Sequence, residues 1–273
     1  MDVIVWRGLQ LSRRVAQGCL TRLHARTQSA MNIPRRIEPE WLDDLPPGNP
    51  RAMRSRRDLR RINVLMANST IVARELARSL RPGSPRAIAE IGAGDGTFML
   101  RLAARSATRW QDTRVVLVDR QDIVSPGTRH AFGALGWTVE TVTADVFEWL
   151  ARPAGEVFDV IVANLFLHHF KDAELTAMLS LAARRTRLFI ACEPRRSTLA
   201  LAGSHLLGVV GCNDVSRHDA VVSVRAGFDG RELSALWPAG RGWTLHERAH
   251  GLFSHSLVAS RIEADGVEGQ ARM

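Results

Sequence analysis

Four groups of residues in this chain have types and spacings that can do chemistry. The first is Glu90-x-Gly92-x-Gly94-x-Gly96, inside "AEIGAGDGTF" at 89–98. Glycine is conformationally expensive, so three of them at alternate positions mean that the backbone itself is needed, with N–H groups brought close to a ligand that a Cβ would exclude. Asp95 sits in the same turn, where a pyrophosphate would be repelled and a ligand with a positive centre suited. The second group is a pair of strand-end acids. Asp119 closes "VVLVD", where a carboxylate accepts both hydroxyls of an adenosine ribose, and Asp145 closes "TVTAD", placed to meet an adenine amino group. The third is "ANLFLHHF", with Asn164 and Leu165 at the tip of an apolar run and His168 and His169 just beyond. The fourth is His218 with Asp219 in "SRHDAVVSVRAGF". Imidazoles titrate near neutrality and serve as general bases toward a hydroxyl.

The elements that must position these groups are legible from periodicity. "RAIAEIGA" reads as a strand handing over to a helix at 95–106, "TRVVLVDR" as a second strand followed by a helix near 128–135, and "WTVETVTAD" as a third strand. "FDVIVANL" is a fourth, buried strand, then a helix covers 171–184 and "TRLFIACEP" is a fifth strand. A short helix in "GRELSALW" precedes "GWTLHERAH" and "LFSHSLVAS", two strands joined near Gly251. The expected fold class is α/β and Rossmann-like: a mainly parallel seven-stranded sheet, a C-terminal antiparallel hairpin, helices on both faces and an N-terminal helical cap. In such a sheet the glycine turn and strand-end acids share the carboxyl edge, where ligands bind. Residues 194–228 are too long for an ordinary connection and read as a lid or substrate element.

The expected organisation is a basic extension at 1–36, a helical cap at 37–83, a catalytic domain at 84–262 with the lid at 194–228, and a flexible tail at 263–273. "PPGNP" ends a linker that cannot be helical throughout. "SRRDLRRINVLMANSTIVARELARSL" then carries an apolar helical face that Asn68-Ser69 divides, leaving open whether Arg61 and Asn63 face a pocket. The chain has 273 residues, 45% of them hydrophobic, enough for a full core and without a membrane-length apolar run. Its formal charge is +9. Seven arginines against Asp2 put +6 of that in residues 1–36, so the remainder carries +3 and does not advertise a nucleic-acid surface. The extension fits three readings: a basic amphipathic helix making peripheral membrane contact, a targeting peptide, or residues upstream of a start at Met31. Cys19, Cys192 and Cys212 are odd in number and lack metal-type spacing, which points to a reducing, cytoplasmic compartment.

On these residues the chain resembles the class I S-adenosylmethionine-dependent methyltransferases over roughly 84–262. The resemblance implies that Glu90, Gly92, Ala93, Gly94 and Gly96 hold the methionine part of the cofactor, Asp119 with Arg120 the ribose, and Asp145 with Val146 the adenine. Asn164 and Leu165 then line cofactor and acceptor. A dinucleotide oxidoreductase shares the glycine turn and strand-end acid, but its spacing is G-x-G-x-x-G and it lacks the third acid and the hairpin. "LFLHHF" is similar to small-molecule and quinone-type members, and the N-P-P-Y tetrad of base and glutamine N-methyltransferases is absent.

The implied reaction is methylation of a small-molecule acceptor at oxygen, or at carbon of an activated aromatic, quinol or polyketide-like ring. RNA or protein methylation, and an inactive cofactor-binding scaffold, are the alternatives. Methyl transfer from a sulfonium is in-line displacement, so the enzyme aligns the partners and a base removes the acceptor proton. His169 and His168 are one pair of candidates for that base; the lid residue His218, backed by Asp219, is the other. Arg217 and Arg225 read as surface arginines. Glu193 either closes the pocket or holds a backbone amide. No metal is expected, because Asp145, Asn164 and Glu193 are too scattered for a cluster.

Overall fold

Aliphatic, β-branched runs set the centre of the sheet. The computed structural model describes residues 33–80, 85–152, 156–240 and 242–262; most of the basic extension and the tail at 263–273 lie outside them. The strands are β1 (Ala87–Ile91), β2 (Arg114–Asp119), β3 (Thr138–Thr143), β4 (Phe158–Asn164), β5 (Thr186–Pro194), β6 (Trp243–His250) and β7 (Ser254–Arg261). They lie in the order β3-β2-β1-β4-β5-β7-β6. Strands β1 to β5 are mutually parallel, while β7 pairs antiparallel with both β5 and β6. β1 is buried along its whole length, as a strand covered on both faces must be. The edge strands β3 and β6 alternate in exposure.

Before the sheet come α1 (Trp41–Asp44), α2 (Pro50–Leu65) and α3 (Asn68–Ser79). Asn49 caps α2 by accepting the Arg51 N–H at 2.8 Å, and Pro50 takes the first position, where its missing N–H costs nothing. The break between α2 and α3 falls at Ala67, which has φ 56°, one residue before the expected division. Between the strands run α4 (Thr97–Ser106), α5 (Pro126–Ala134), α6 (Val146–Ala151) and α7 (Asp172–Arg185), and α10 (Glu232–Leu236) precedes the hairpin. The helix α6 was not expected: Asp145 Oδ1 accepts the Phe147 N–H at 2.8 Å and so starts a helix from the residue that ends the third strand's segment.

Two apolar clusters form, one on each face of the sheet. One gathers Phe98, Met99 and Leu102 of α4 with Phe132 and Trp137, and the other gathers Leu175, Met178 and Leu179 of α7 with Trp149 and Phe189. Each such side chain contributes about 1.5–3 kcal/mol when fully buried. Residues 194–228 are not an open loop. They hold α8 (Thr198–His205), a 3₁₀ turn (Leu206–Gly208) and α9 (Asp214–Ala226). "NDVSRHD" is the capped start of α9, with Asn213 Oδ1 accepting the Ser216 N–H at 2.9 Å. Among the described residues no helix is long and apolar enough to cross a membrane.

Candidate active site

The carboxyl ends of β1, β2 and β4 open on a cavity of about 920 Å³. Glu90, Gly92, Ala93, Gly94, Asp119, Arg120, Asp145, Val146, Asn164, Leu165, His168 and His169 all line it, whereas Gly96 and His218 do not. Residues 90 to 169 are thus brought together from four successive βα turns.

The three glycines have φ of 68°, 55° and 73°, the left-handed region where a side chain is strained. Their surroundings differ. A Cβ on Gly92 would stand 2.2 Å from the Phe166 ring, so packing needs that position bare, whereas one on Gly96 would meet at 2.8 Å only the terminal methyl of Leu117, which can move aside. A Cβ on Gly94 would meet nothing within 4 Å, so Gly94 alone presents bare backbone to open space. Asp119 braces this loop: its Oδ2 accepts the Gly94 N–H at 2.8 Å and its Oδ1 the Gln121 N–H at 2.9 Å.

The positive centre that Asp95 answers is a side chain, not a ligand. Arg60 of α2 donates to Asp95 Oδ2 at 2.7 Å, while Thr97 occupies Oδ1 through its N–H at 3.1 Å and its hydroxyl at 2.6 Å. The carboxyl without an answering partner is that of Glu90. Its carboxyl is buried at the end of β1, and Oε2 has no hydrogen-bond partner. Burial, with the negative charges of Asp95 and Asp119 added, pushes its pKa well above the usual carboxylate range.

Asn164 belongs to a buried amide network. Its Nδ2 donates to Asn63 Oδ1 at 3.1 Å, and its Oδ1 accepts from Asn68 Nδ2 at 3.0 Å. Ser254 of β7 donates to Asn68 Oδ1 at 2.9 Å, tying the hairpin to the same network. Asn63 therefore faces the cavity, and Arg61 is not among its lining residues. Leu165 turns the chain with φ 51°.

The 3₁₀ turn Leu167–His169 follows. Glu193, fully buried at the end of β5, accepts the N–H groups of Phe166 at 3.1 Å and Leu167 at 3.0 Å, and its Oε2 takes His168 Nδ1–H at 2.8 Å. It holds backbone amides rather than closing the pocket. His168 Nε2 lies 3.3 Å from Glu40 Oε1. His169 donates from Nδ1 to the Phe166 carbonyl at 2.9 Å, and its Nε2 is 3.4 Å from Glu40 Oε2 without hydrogen-bond geometry. Burial opposes charge on the His169 ring, but Glu40 and Asp43 outweigh it and raise its pKa to about 10. Burial likewise opposes charge on Glu40, and hydrogen bonding to His168 and His169 overcomes it, holding the carboxyl far below the ordinary range.

His218 stands elsewhere. Its ring stacks on Trp41 at 3.9 Å between centroids, and its Nδ1 contacts Asp219 Oδ1 at 3.0 Å. The residue of that pair that reaches the cavity is Asp219, which accepts the Trp41 and Leu42 N–H groups at 2.8 and 3.0 Å and so anchors α1. Other residues of 194–228 line the cavity: Ala200, Gly203, Ser204 and Leu207 of one half and Ser216, Ala220, Ser223 and Val224 of the other.

Sequence reasoning missed Glu40 and Asn68. Glu40 lies in a segment read as a linker, 128 residues from His168, and no local pattern announces that pairing. The adjacent histidines were the only visible half of the cluster.

Residues 88–187 match the model of a family described as a methyltransferase domain. No curated protein matches the sequence. Among solved structures, an O-methyltransferase family protein from Burkholderia thailandensis aligns with a TM-score of 0.53 at 17% identity, covering 80% of this chain and 62% of that one. The plantazolicin methyltransferase BpumL, solved with a monoazolic desmethylplantazolicin analogue and S-adenosylhomocysteine, aligns with a TM-score of 0.56 at 12% identity, covering 81% and 93%. At these identities the likeness is one of fold. The chain spans about 62% of the Burkholderia protein's length.

Proposed function

We propose that this chain, whose residues 88–187 are a methyltransferase domain of the class I fold, is an S-adenosylmethionine-dependent methyltransferase that acts on oxygen, or ring carbon, of a small aromatic, quinol or polyketide-like acceptor. The observation that carries the cofactor is Glu90: a buried carboxylate oxygen without a partner, on the cavity wall beside the bare Gly94 backbone. An ammonium group there answers the charge. Asp119 retains lone pairs for a vicinal diol beyond the single N–H that each of its oxygens accepts. Asp145, Val146 and Arg120 complete the wall toward the base, and Asn164 and Leu165 the wall toward the acceptor.

The cofactor supplies an electrophilic methyl group. What the chain supplies is alignment and exclusion of water. The cavity of about 920 Å³ lies at the upper end of the roughly 300–1,000 Å³ typical of ligand sites, which suits two ligands side by side. Its acceptor half is covered by α8 and α9, whose contributions are mostly alanine, glycine, leucine and serine. Among the described residues no basic stripe lines that half, which favours a small acceptor over RNA. His169 is the side chain placed to meet an acceptor hydroxyl, because it lines the cavity and its Nε2 has no hydrogen bond.

Calorimetry tests the reading. S-adenosylhomocysteine should bind, and Asp119→Ala should weaken it by about 1.5–3 kcal/mol, the worth of hydrogen bonds to a charged group. Binding of NAD without response to S-adenosylhomocysteine would overturn the assignment. With methyl-labelled cofactor and extracts, label in the organic-soluble fraction supports a small acceptor. Label in RNA or protein would redirect the reading, and no label anywhere would leave a scaffold.

A further inference from the structure

Glu40, His168 and His169 present three ligand-type atoms within 4.8 Å of one another on the acceptor side of the cavity. Their hydrogen bonds decide what those atoms can do. His168 Nδ1 faces a Glu193 carboxylate that already accepts backbone N–H groups, and His169 Nδ1 faces the Phe166 carbonyl. Both partners are acceptors, so each ring carries its proton on Nδ1. The Nε2 side of each ring faces the Glu40 carboxylate, so a cation must lie between them: either an Nε2 proton, as the raised pKa of His169 provides, or a metal ion that displaces it.

The spacing fits a metal ion. Ligands held at about 2.0–2.1 Å in a tetrahedron stand about 3.3–3.4 Å apart. His168 Nε2 stands 3.3 Å from Glu40 Oε1 and His169 Nε2 3.4 Å from Oε2, one ring on each carboxylate oxygen, and one ligand atom from each of the three residues falls within 4.8 Å of the others. A carboxylate and a carbonyl on the remote ring nitrogens are also the supports that metal-bound histidines use to fix tautomer and orientation. Ser223 donates to Glu40 Oε1, holding the carboxylate in place from α9.

We propose that Glu40, His168 and His169 form a binding site for one divalent transition-metal ion of the zinc type, with a coordination position left open toward the cavity. Two imidazoles and one carboxylate suit a borderline ion and leave room for an exogenous oxygen. Resting on the methyltransferase reading, the open position takes the acceptor's phenol or enol oxygen. An ion there lowers the pKa of that hydroxyl. Its proton then leaves to solvent, an oxygen electron pair forms the bond to the methyl carbon, and the sulfonium C–S pair returns to sulfur. The sequence expectation of no metal weighed Asp145, Asn164 and Glu193; Glu40, remote in the chain, was not in view.

The test uses the full chain, stripped with chelator and titrated with Zn²⁺ against a competing dye. One high-affinity zinc per chain is expected, with affinity falling at least about 100-fold in both His169→Ala and Glu40→Gln and unchanged in the surface control His205→Ala. Co²⁺ should give visible absorption bands in the parent chain that His169→Ala abolishes. Circular dichroism and S-adenosylhomocysteine binding in the same samples show that the variants fold. No tight zinc site, or equal affinity in the folded His169→Ala and Glu40→Gln chains, overturns the proposal and leaves the two rings in contact with Glu40 alone. Zinc binding without S-adenosylhomocysteine binding would fail the cofactor reading alone.

Discussion

Glu90 has two opposed duties, and a single substitution separates them. Its raised pKa means that the folded chain holds a proton there which the unfolded chain has released. Stability attributable to this group therefore falls as pH rises from the ordinary value of 4.5 toward the raised one. Glu90→Gln removes that titration. The two chains should have similar Tm near pH 4.5, with the glutamine variant melting higher as pH rises above it. Cofactor affinity should move the other way, since the amide cannot answer an ammonium. Thermal melts over pH with calorimetry check both, and a variant that melts lower than the parent at pH 8 would mean that Glu90 has a partner in the folded chain. Asp95 nearby shows how little a residue type says alone: the same carboxylate chemistry, five residues on in the turn, is absorbed by Arg60 and Thr97.

The glycine turn is the element where packing and binding divide. Gly92→Ala places a methyl 2.2 Å from the Phe166 ring at φ 68°, so clash adds to backbone strain. A loss of about 2–4 kcal/mol is expected, combining roughly 1–2 kcal/mol for a left-handed residue with the cost of overpacking. Gly94→Ala carries the strain without the clash, about 1–2 kcal/mol, but its methyl projects into open space where the backbone should meet ligand. Denaturant unfolding and S-adenosylhomocysteine titration should rank the two in opposite orders. The same ranking in both measurements would mean that the turn serves packing alone.

At the scale of the molecule, the cavity is closed by contacts between segments distant in sequence. Asp58 of α2, almost fully buried, accepts the Asn213 N–H at 2.9 Å and the Ser216 hydroxyl at 3.2 Å, latching the start of α9 to the N-terminal helices. Asp219 anchors α1, and Arg35 donates to the Ala226 carbonyl at 2.8 Å and the Phe170 carbonyl at 2.9 Å, joining α9 to the turn that carries the histidines. Asp58→Ala leaves the Asn213 N–H without a partner, while Ser216 keeps its contact with Ser55 Oγ at 3.0 Å, and should cost about 1–3 kcal/mol locally. Limited proteolysis should then cut within 194–228 faster than in the parent chain, while S-adenosylhomocysteine affinity changes little. Unchanged cleavage there would show that the cover is held by packing rather than by this latch.

The sheet was legible because its information is local. Alternation, apolar runs and turn glycines each span fewer than ten residues, and the carboxyl edge of a parallel sheet gathers Glu90, Gly94, Asp119, Asp145 and Asn164 whatever the rest of the chain does. Tertiary structure decided everything that depends on a partner far along the chain. It gave Asp95 to Arg60, turned Glu193 inward onto backbone amides, and carried His218 out of the cavity onto Trp41. It also brought Glu40 to His168 and His169 across 128 and 129 residues. A side chain's role at such a site is fixed by which acceptor or donor faces it, and no periodicity in the sequence encodes a facing group contributed by another element.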